Sequence, residues 1–419
     1  MSNPFYVSGP VPPEYFVGRK SEVNILFDLV VKRSHGAFFG SPGMGKSSLL
    51  KLLTYPQVWR DRGQNSDPYF IIYLNCTSIN PFTSRGFWEE VLNLLREEAE
   101  AEEELQNAIA EVLQEEEIDR SNLRRILRQV GKCGKYLLLL LDDYDTALRP
   151  NDRYTESEML AFLSEFRNLA VHGKTCQYLS TIVTTFRRLS ELGPKILPNG
   201  SPWYNHYLFH PIKPYREDEV KTAFFDGSSK YLMPIKSNLH EGVVRITGGH
   251  PALLQNAGYL LYDMEREGQE INIPSFTKDF QSRTEQVFRD IWRFSTEEEQ
   301  VLLMLIALSK LEGLLEDKKY ALEGTARIFS QRGRELIDLE ERGVIKEIRE
   351  NDDSIYRFNS SLMEWWVIRE IENSDEEELK KREKIFLKLI SREQWSQVQK
   401  VASFIWEKRE TVKKIWNLV

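Results

Sequence analysis

Short apolar runs alternate with longer stretches of helical periodicity through the first half of the chain. Five of the runs read as strands: Ala37–Gly40, Tyr69–Leu74, Tyr136–Leu141, Tyr178–Thr184 and Tyr207–Phe209. They are apolar on both faces, as strands of a parallel sheet covered by helices must be. Between the second and third runs, roughly Arg85–Val130 keeps helical spacing and includes the acidic stretch Glu97–Glu117, with Leu105, Ile109 and Leu113 on one face. A solvated amphipathic helix accounts for that stretch, and a partner-docking surface is the alternative. Pro211 and Pro214 then break the pattern, and a mostly helical segment runs from Tyr215 to about Arg293.

Ser295-Thr296-Glu297-Glu298-Glu299 reads as a capping box that opens the apolar helix Val301–Leu308. A later helix closes at Glu341-Arg342-Gly343. Two strands follow, Val344–Ile348 and Ile355–Phe358, joined by the turn-rich Glu350–Ser354. Helices followed by a small hairpin are the outline of a winged helix. The last stretch, Leu379–Val419, is helical in pattern and basic, with eleven Lys/Arg against four Glu. Its Trp395, Phe404, Trp406 and Trp416 read first as core and second as base-stacking platforms. No repeat of about 20–50 residues recurs.

At 419 residues the chain is too long for one core. The expected boundaries are 1–210 for the α/β domain, 211–293 for a helical domain, 294–372 for the winged helix and 373–419 for the tail. A net charge of −8 argues against a chain coated for nucleic acid, while leaving room for a local basic patch. Three cysteines, none paired as CxxC, argue against a disulfide framework or zinc site and fit a reducing compartment. The opening MSNPFYVSGPVPPEYF has neither a basic nor an apolar targeting region, and Tyr136–Leu141 falls far short of the ~20 residues that cross a bilayer. The expectation is a cytoplasmic protein without a membrane partner.

GSPGMGKS, Gly40–Ser47, fits GxxxxGK[ST] at every fixed position, between a strand and a helix. Glycines let the loop wrap so that backbone N–H groups point at phosphates, and the next helix adds its N-terminal dipole. Pro42, Gly43, Met44, Gly45, Lys46, Ser47 and Ser48 are therefore the candidate phosphate-binding residues. Lys46 supplies charge near the β and γ phosphates, and Ser47 offers a hydroxyl to Mg²⁺.

LLLLLDDYD, Leu137–Asp145, is a buried strand that ends in acids at the edge facing the ligand crevice. Asp142 is expected to hold Mg²⁺, directly or through water, and Asp143 to orient or activate the attacking water. The alternative for Asp143 is a loop cap. An acid shorter than glutamate at that place suggests slow, switch-like hydrolysis. TIVTTFR, Thr181–Arg187, ends another apolar strand, where a polar residue could sense the γ-phosphate and Arg187 could reach it or a neighbouring subunit. Gly248-Gly249-His250-Pro251 opens an apolar helix, which ordinary helix initiation explains. Arg149, Arg153, Arg167 and Arg188 stay open as groups acting in trans.

Taken in order, EYFVGRKSE, GSPGMGKSSLL, LLLLLDDYD, TIVTTFR and GGHPALL resemble the nucleotide-binding core of the STAND branch of AAA+-related ATPases, over about residues 14–370. The opening FYVSGPVPPEYFVGR is similar to bacterial members. The fold class is accordingly expected to be α/β: a P-loop NTPase parallel sheet of AAA+/STAND type, then the lid, winged helix and helical tail.

The resemblance implies that Phe16, Val17, Gly18 and Arg19 lie against adenine and ribose. It implies that Thr185 and Arg187 are sensor residues and that Pro251 packs on the base from the lid. It further implies ATP and ADP as alternating ligands, a winged helix that folds back with ADP and swings out with ATP, nucleotide-dependent homo-oligomers, and a role in bacterial signalling or antiphage defence. No Met-His-Asp triplet, effector domain or sensor repeat is recognisable, so the output is expected to belong to a separate effector protein.

A second reading is a DNA-binding AAA+ protein, an initiator or transposition regulator, because archaeal origin-recognition initiators share the same motif order. Arg332, Arg334 and the basic tail favour it. Glu335, Asp338, Glu340 and Glu341 on the same helix oppose it, since carboxylates repel phosphates. ATP binding with little turnover is a third.

Overall fold

The five apolar runs form strands β1 (His35–Phe39), β2 (Tyr69–Asn75), β3 (Tyr136–Asp142), β4 (Leu179–Thr185) and β5 (Tyr207–Pro211), all parallel, in the order β2-β3-β4-β1-β5. This is a computed structural model, and it describes residues 2–194, 202–226, 231–233, 236–269, 272–309, 329–350 and 353–373. The basic tail and much of the stretch after Val301–Leu308 lie outside the described residues.

Strand periodicity sorts the side chains into two cores. Leu138, Leu140, Phe38 and Ile182 face helices α1 (Lys20–Val31), α2 (Lys46–Lys51) and α3 (Pro56–Asp61). Leu137, Leu139, Leu141, Ala37 and Val183 face α4 (Ser84–Glu98), α5 (Glu103–Leu113), α6 (Arg120–Lys132) and α7 (Glu156–Val171). Successive strand residues point to opposite faces, so a strand buried on both sides loses the polar/apolar alternation; β4 is buried throughout and still carries Ser180, Thr181, Thr184 and Thr185. β2 lies at an edge of the sheet and alternates buried with half-buried residues instead.

The helical stretch between β2 and β3 is three helices, not one. A single rod over that length would run about 70 Å and could not lay its whole apolar stripe on one core. Breaks after Glu98 and Leu113 fold Leu92, Ile109 and Ile126 into the same cluster. Thr83 caps α4, accepting from the Gly86 N–H, and an Asp119/Asn122 capping box starts α6.

The described residues form two compact units. The sheet unit is Ser8–Ile212; the other joins Met1–Val7 to the chain from Lys213 onward. The second unit holds helices α8 (Glu217–Val220), α9 (His240–Thr247), α10 (Pro251–Arg266), α11 (Ile273–Arg293), α12 (Glu297–Ser309), α13 (Gly333–Glu341) and α14 (Ser361–Asn373). Its hairpin pairs β6 (Ile345–Glu350) with β7 (Asp353–Phe358), antiparallel.

Thr296 and Glu299 make the reciprocal cap of α12: the Glu299 N–H donates to the Thr296 hydroxyl and the Thr296 N–H to the Glu299 carboxylate. Glu299 also pairs with the buried Arg342 at 2.9 Å, which in turn holds Asp338 at 2.8 Å. The N-terminal residues are built into this unit. Asn3 Nδ2 donates to the Tyr259 carbonyl at 3.0 Å, the Tyr6 N–H donates to Gln255 Oε1 at 2.9 Å, and the Phe5 ring lies 5.3 Å from that of Tyr231. Among the described residues no helix is long and apolar enough to cross a membrane.

Candidate nucleotide-binding site

The loop after β1 has its shape because of three glycines. Gly43 and Gly45 sit at φ +79° and +85°, in the left-handed region that side chains disfavour. At Gly40, an added Cβ would stand 2.6 Å from the Ile212 carbonyl oxygen. Helix α2 starts at Lys46, so its unbonded N–H groups open toward this loop. The Lys46 ammonium arches back and donates to the carbonyls of Gly40 at 2.8 Å and Ser41 at 3.1 Å. Ser47 is half-buried in the first turn of α2. Beneath the loop the Ser41 hydroxyl is fully buried without a hydrogen-bond partner.

The other phosphate-loop residues divide their work. The Met44 side chain is core, 1% exposed, so only its backbone faces a ligand. The Ser48 hydroxyl accepts from the Val11 N–H at 2.9 Å, which leaves its own N–H as the group for a phosphate. Pro42 is half-buried.

The acids gather at the end of β3. The neighbouring strands β2 and β4 end level with it, and Asn75 pairs in register with Asp142. Asp142 is buried, and its Oδ2 accepts from the Tyr73 hydroxyl at 2.7 Å. Its Oδ1 accepts from the Thr184 hydroxyl. Asp143 has φ +49°; its N–H donates to Thr184 Oγ1 at 3.2 Å, and its Oδ2 accepts from Asn75 Nδ2 at 3.0 Å. Burial and then the neighbouring Asp142 push the Asp143 carboxyl upward in pKa. Asp145 is buried, accepts from the Phe186 N–H at 3.1 Å, and is raised by burial to about 6. Burial pushes the Lys46 ammonium down, opposed by Asp145, Asp143 and Asp142 in that order.

Four of these residues have no individual role in the sequence reading: Tyr73 and Asn75, and Thr184 and Asp145, which lie inside its motifs. The available signal was the sheet itself, since parallel strands present their C-terminal ends along one crevice. Polar residues closing β2 therefore belong beside those closing β3. On β4, the hydroxyl that meets the acids is that of Thr184. The Thr185 hydroxyl donates instead to the Arg187 carbonyl at 2.7 Å. Arg187 is buried, its guanidinium 5.3 Å from the Phe186 ring.

Before α1, Arg19 (φ +58°) is buried and donates to the Met44 carbonyl at 3.1 Å, paired with Glu22 at 3.2 Å. That binds the segment to the back of the phosphate loop. Phe16 packs against the α1–α3 core, Val17 is half-buried, and Gly18 turns the chain at φ +70°. Pro251 is the first residue of α10, in the second unit.

The donor set fits a nucleotide triphosphate with magnesium. A loop of inward-facing amides and a lysine suits phosphates, and a hydroxyl with a buried carboxylate suits a hard cation that keeps waters. Fold and loop define a P-loop nucleotide-binding domain, and residues 31–189 match the AAA domain family. No curated protein matches the chain in sequence.

Among solved structures, the chain is similar to a Walker-type ATPase of Pyrococcus abyssi, with a TM-score of 0.51 and 16% identity over 87% of this chain and 99% of that one. It is also similar to the ORC2 protein of Aeropyrum pernix in its ADPNP–ADP complexes, with a TM-score of 0.51 and 16% identity over 87% and 95%. At that identity the likeness establishes the fold.

Proposed function

We propose that the chain binds Mg·ATP and hydrolyses it slowly, as a nucleotide-operated switch of STAND type that assembles with copies of itself and passes its signal to a separate effector. The observation that carries the nucleotide reading is the loop itself: Gly43 and Gly45 hold left-handed conformations, and the Lys46 ammonium arches back onto the carbonyls of Gly40 and Ser41. That ammonium, donating to the loop carbonyls, is within reach of the charge that a β/γ-phosphate pair on this loop would carry. Ser47 and Asp142 would hold the magnesium ion, which supplies charge neutralisation at the phosphates.

Asp143 is the candidate to orient the attacking water. Its Oδ2 accepts from the Asn75 amide, which orients the carboxylate and leaves it further lone pairs for a water. Thr185, Arg187, the adenine-side residues Phe16–Arg19 and Pro251 keep the roles that the family resemblance implies. In this reading α12, α13, the β6–β7 hairpin and α14 are the winged helix, and α9–α11 belong to the lid.

Lys46→Ala is expected to weaken nucleotide binding by two orders of magnitude or about that, and to abolish phosphate release. Titration with a fluorescent ATP analogue and a phosphate-release assay check it. An unchanged turnover rate rejects the site.

A DNA-binding reading draws support from the ORC2 likeness in fold. The charges on α13 weigh against it: Arg332 lies 3.7 Å from Glu335, and Arg342 is buried in its carboxylate pairs. Steep loss of duplex binding between about 50 and 200 mM salt would favour DNA.

A further inference from the structure

We propose that the Tyr73 hydroxyl, steadied by Lys51, is the positioning group that aims the Asp142 carboxylate at magnesium. The proposal rests on the Mg·ATP reading above.

The geometry singles Tyr73 out. Asp142 is 1% exposed, and each of its oxygens accepts one hydroxyl: Tyr73 from β2 at 2.7 Å and Thr184 from β4. The carboxylate is thus gripped from both flanking strands. Neither donor carries a charge. An arginine or lysine in either place would orient the acid and neutralise it together; two hydroxyls orient it and leave the negative charge and a lone pair on each oxygen for a cation or its water shell.

Tyr73 also bridges elements. The Lys51 ammonium lies 4.8 Å from the centre of its ring, and Lys51 closes the helix that Lys46 and Ser47 open. A cation over an aromatic face is attracted by the ring's electron density. The result is a side-chain link from α2, which carries the hydroxyl ligand, through β2, to β3, which carries the carboxylate ligand. Packing alone does not call for the phenol: Tyr73 is only half-buried, its ring lies against the α1–α3 core, and phenylalanine would fill the same space. Thr184 is the less selective partner, because its hydroxyl also accepts the Asp143 N–H.

The test is Tyr73→Phe in the full chain, titrated with a fluorescent ATP analogue in EDTA and across a magnesium series. Affinity in EDTA should stay within about twofold of wild type, and the melting temperature without nucleotide within a few degrees. The magnesium concentration for half-maximal tightening should rise by 10–100-fold, the usual range for loss of a group supporting a metal ligand. An unchanged magnesium requirement overturns the proposal. So does an equal loss of affinity with and without magnesium, which would make the hydroxyl merely structural. Wild-type protein that binds no nucleotide, or binds it equally well in EDTA, overturns the site reading and this role with it.

Discussion

At the scale of single residues, burial decides what each charge at the sheet edge can do. Asp145 accepts one hydrogen bond, from the Phe186 N–H, and sits deep enough that its carboxyl is raised to about 6. Its pKa in the unfolded chain is near the ordinary aspartate value of about 4. Below about pH 4 both states are protonated and Asp145 costs nothing. As pH climbs from about 4 through 6 the unfolded state ionises first, so stability falls; above 6 the cost stays constant at about 3 kcal/mol. Asp145→Asn is therefore expected to leave the urea midpoint nearly unchanged at pH 4 and to raise it at pH 8. A gap between variant and wild type that is equal at both pH values would reject the burial cost. Lys46, Ser47, Asp142 and Asp143 were legible because a motif spaces them along the chain. Asp145 was not, because its position depends on the short 3-10 turn Tyr144–Leu148 that folds it back toward Phe186.

At the scale of elements, all five strands were readable because each is built on aromatic, leucine or β-branched residues without helical spacing, and small shifts at their ends moved only boundary residues. The helices were less so. Periodicity marked the apolar stripe through Arg85–Val130 but not where it breaks, since the breaks answer to the size of the core. On β4, burial on both faces erased the alternation that would have told Thr184 from Thr185. Gly248 and Gly249 show a similar limit. In sequence they look like a turn before a helix; in the fold they sit at φ +58° and +73°, with a Cβ on Gly248 driven into the Asn359 backbone and one on Gly249 into the Tyr215 carbonyl oxygen. Gly249→Ala should lower the melting temperature by several degrees, through left-handed strain of about 1–2 kcal/mol plus the overlap. A melting curve that overlays wild type would mean that Tyr215 yields freely.

At the scale of the whole molecule, the chain passes between its two units twice, at Val7–Ser8 and at Ile212–Lys213. The first crossing was not legible, because NPFY looks like a loose terminus until Phe5 is seen packed on Gly258, where any side chain would strike its ring. If the switch reading holds, blocked hydrolysis should accumulate the ATP-bound form. Asp143→Asn is expected to keep ATP affinity within a few fold, to slow phosphate release by about 100-fold or more, and to form larger assemblies with ATP than with ADP. Light scattering with each nucleotide reads the assembly. Monomers in every condition would remove oligomerisation from the proposal, and normal turnover would move the water-orienting role away from Asp143.

The sequence by itself determined the phosphate loop, the five strands and the acid pair, because each depends on residues close together in the chain and on hydrophobic periodicity. Tertiary structure alone decided which side chains hold those acids. Tyr73, Asn75 and Thr184 lie on strands that become neighbours of β3 only when the sheet assembles, and a hydrogen bond between strands leaves no periodic mark in the chain.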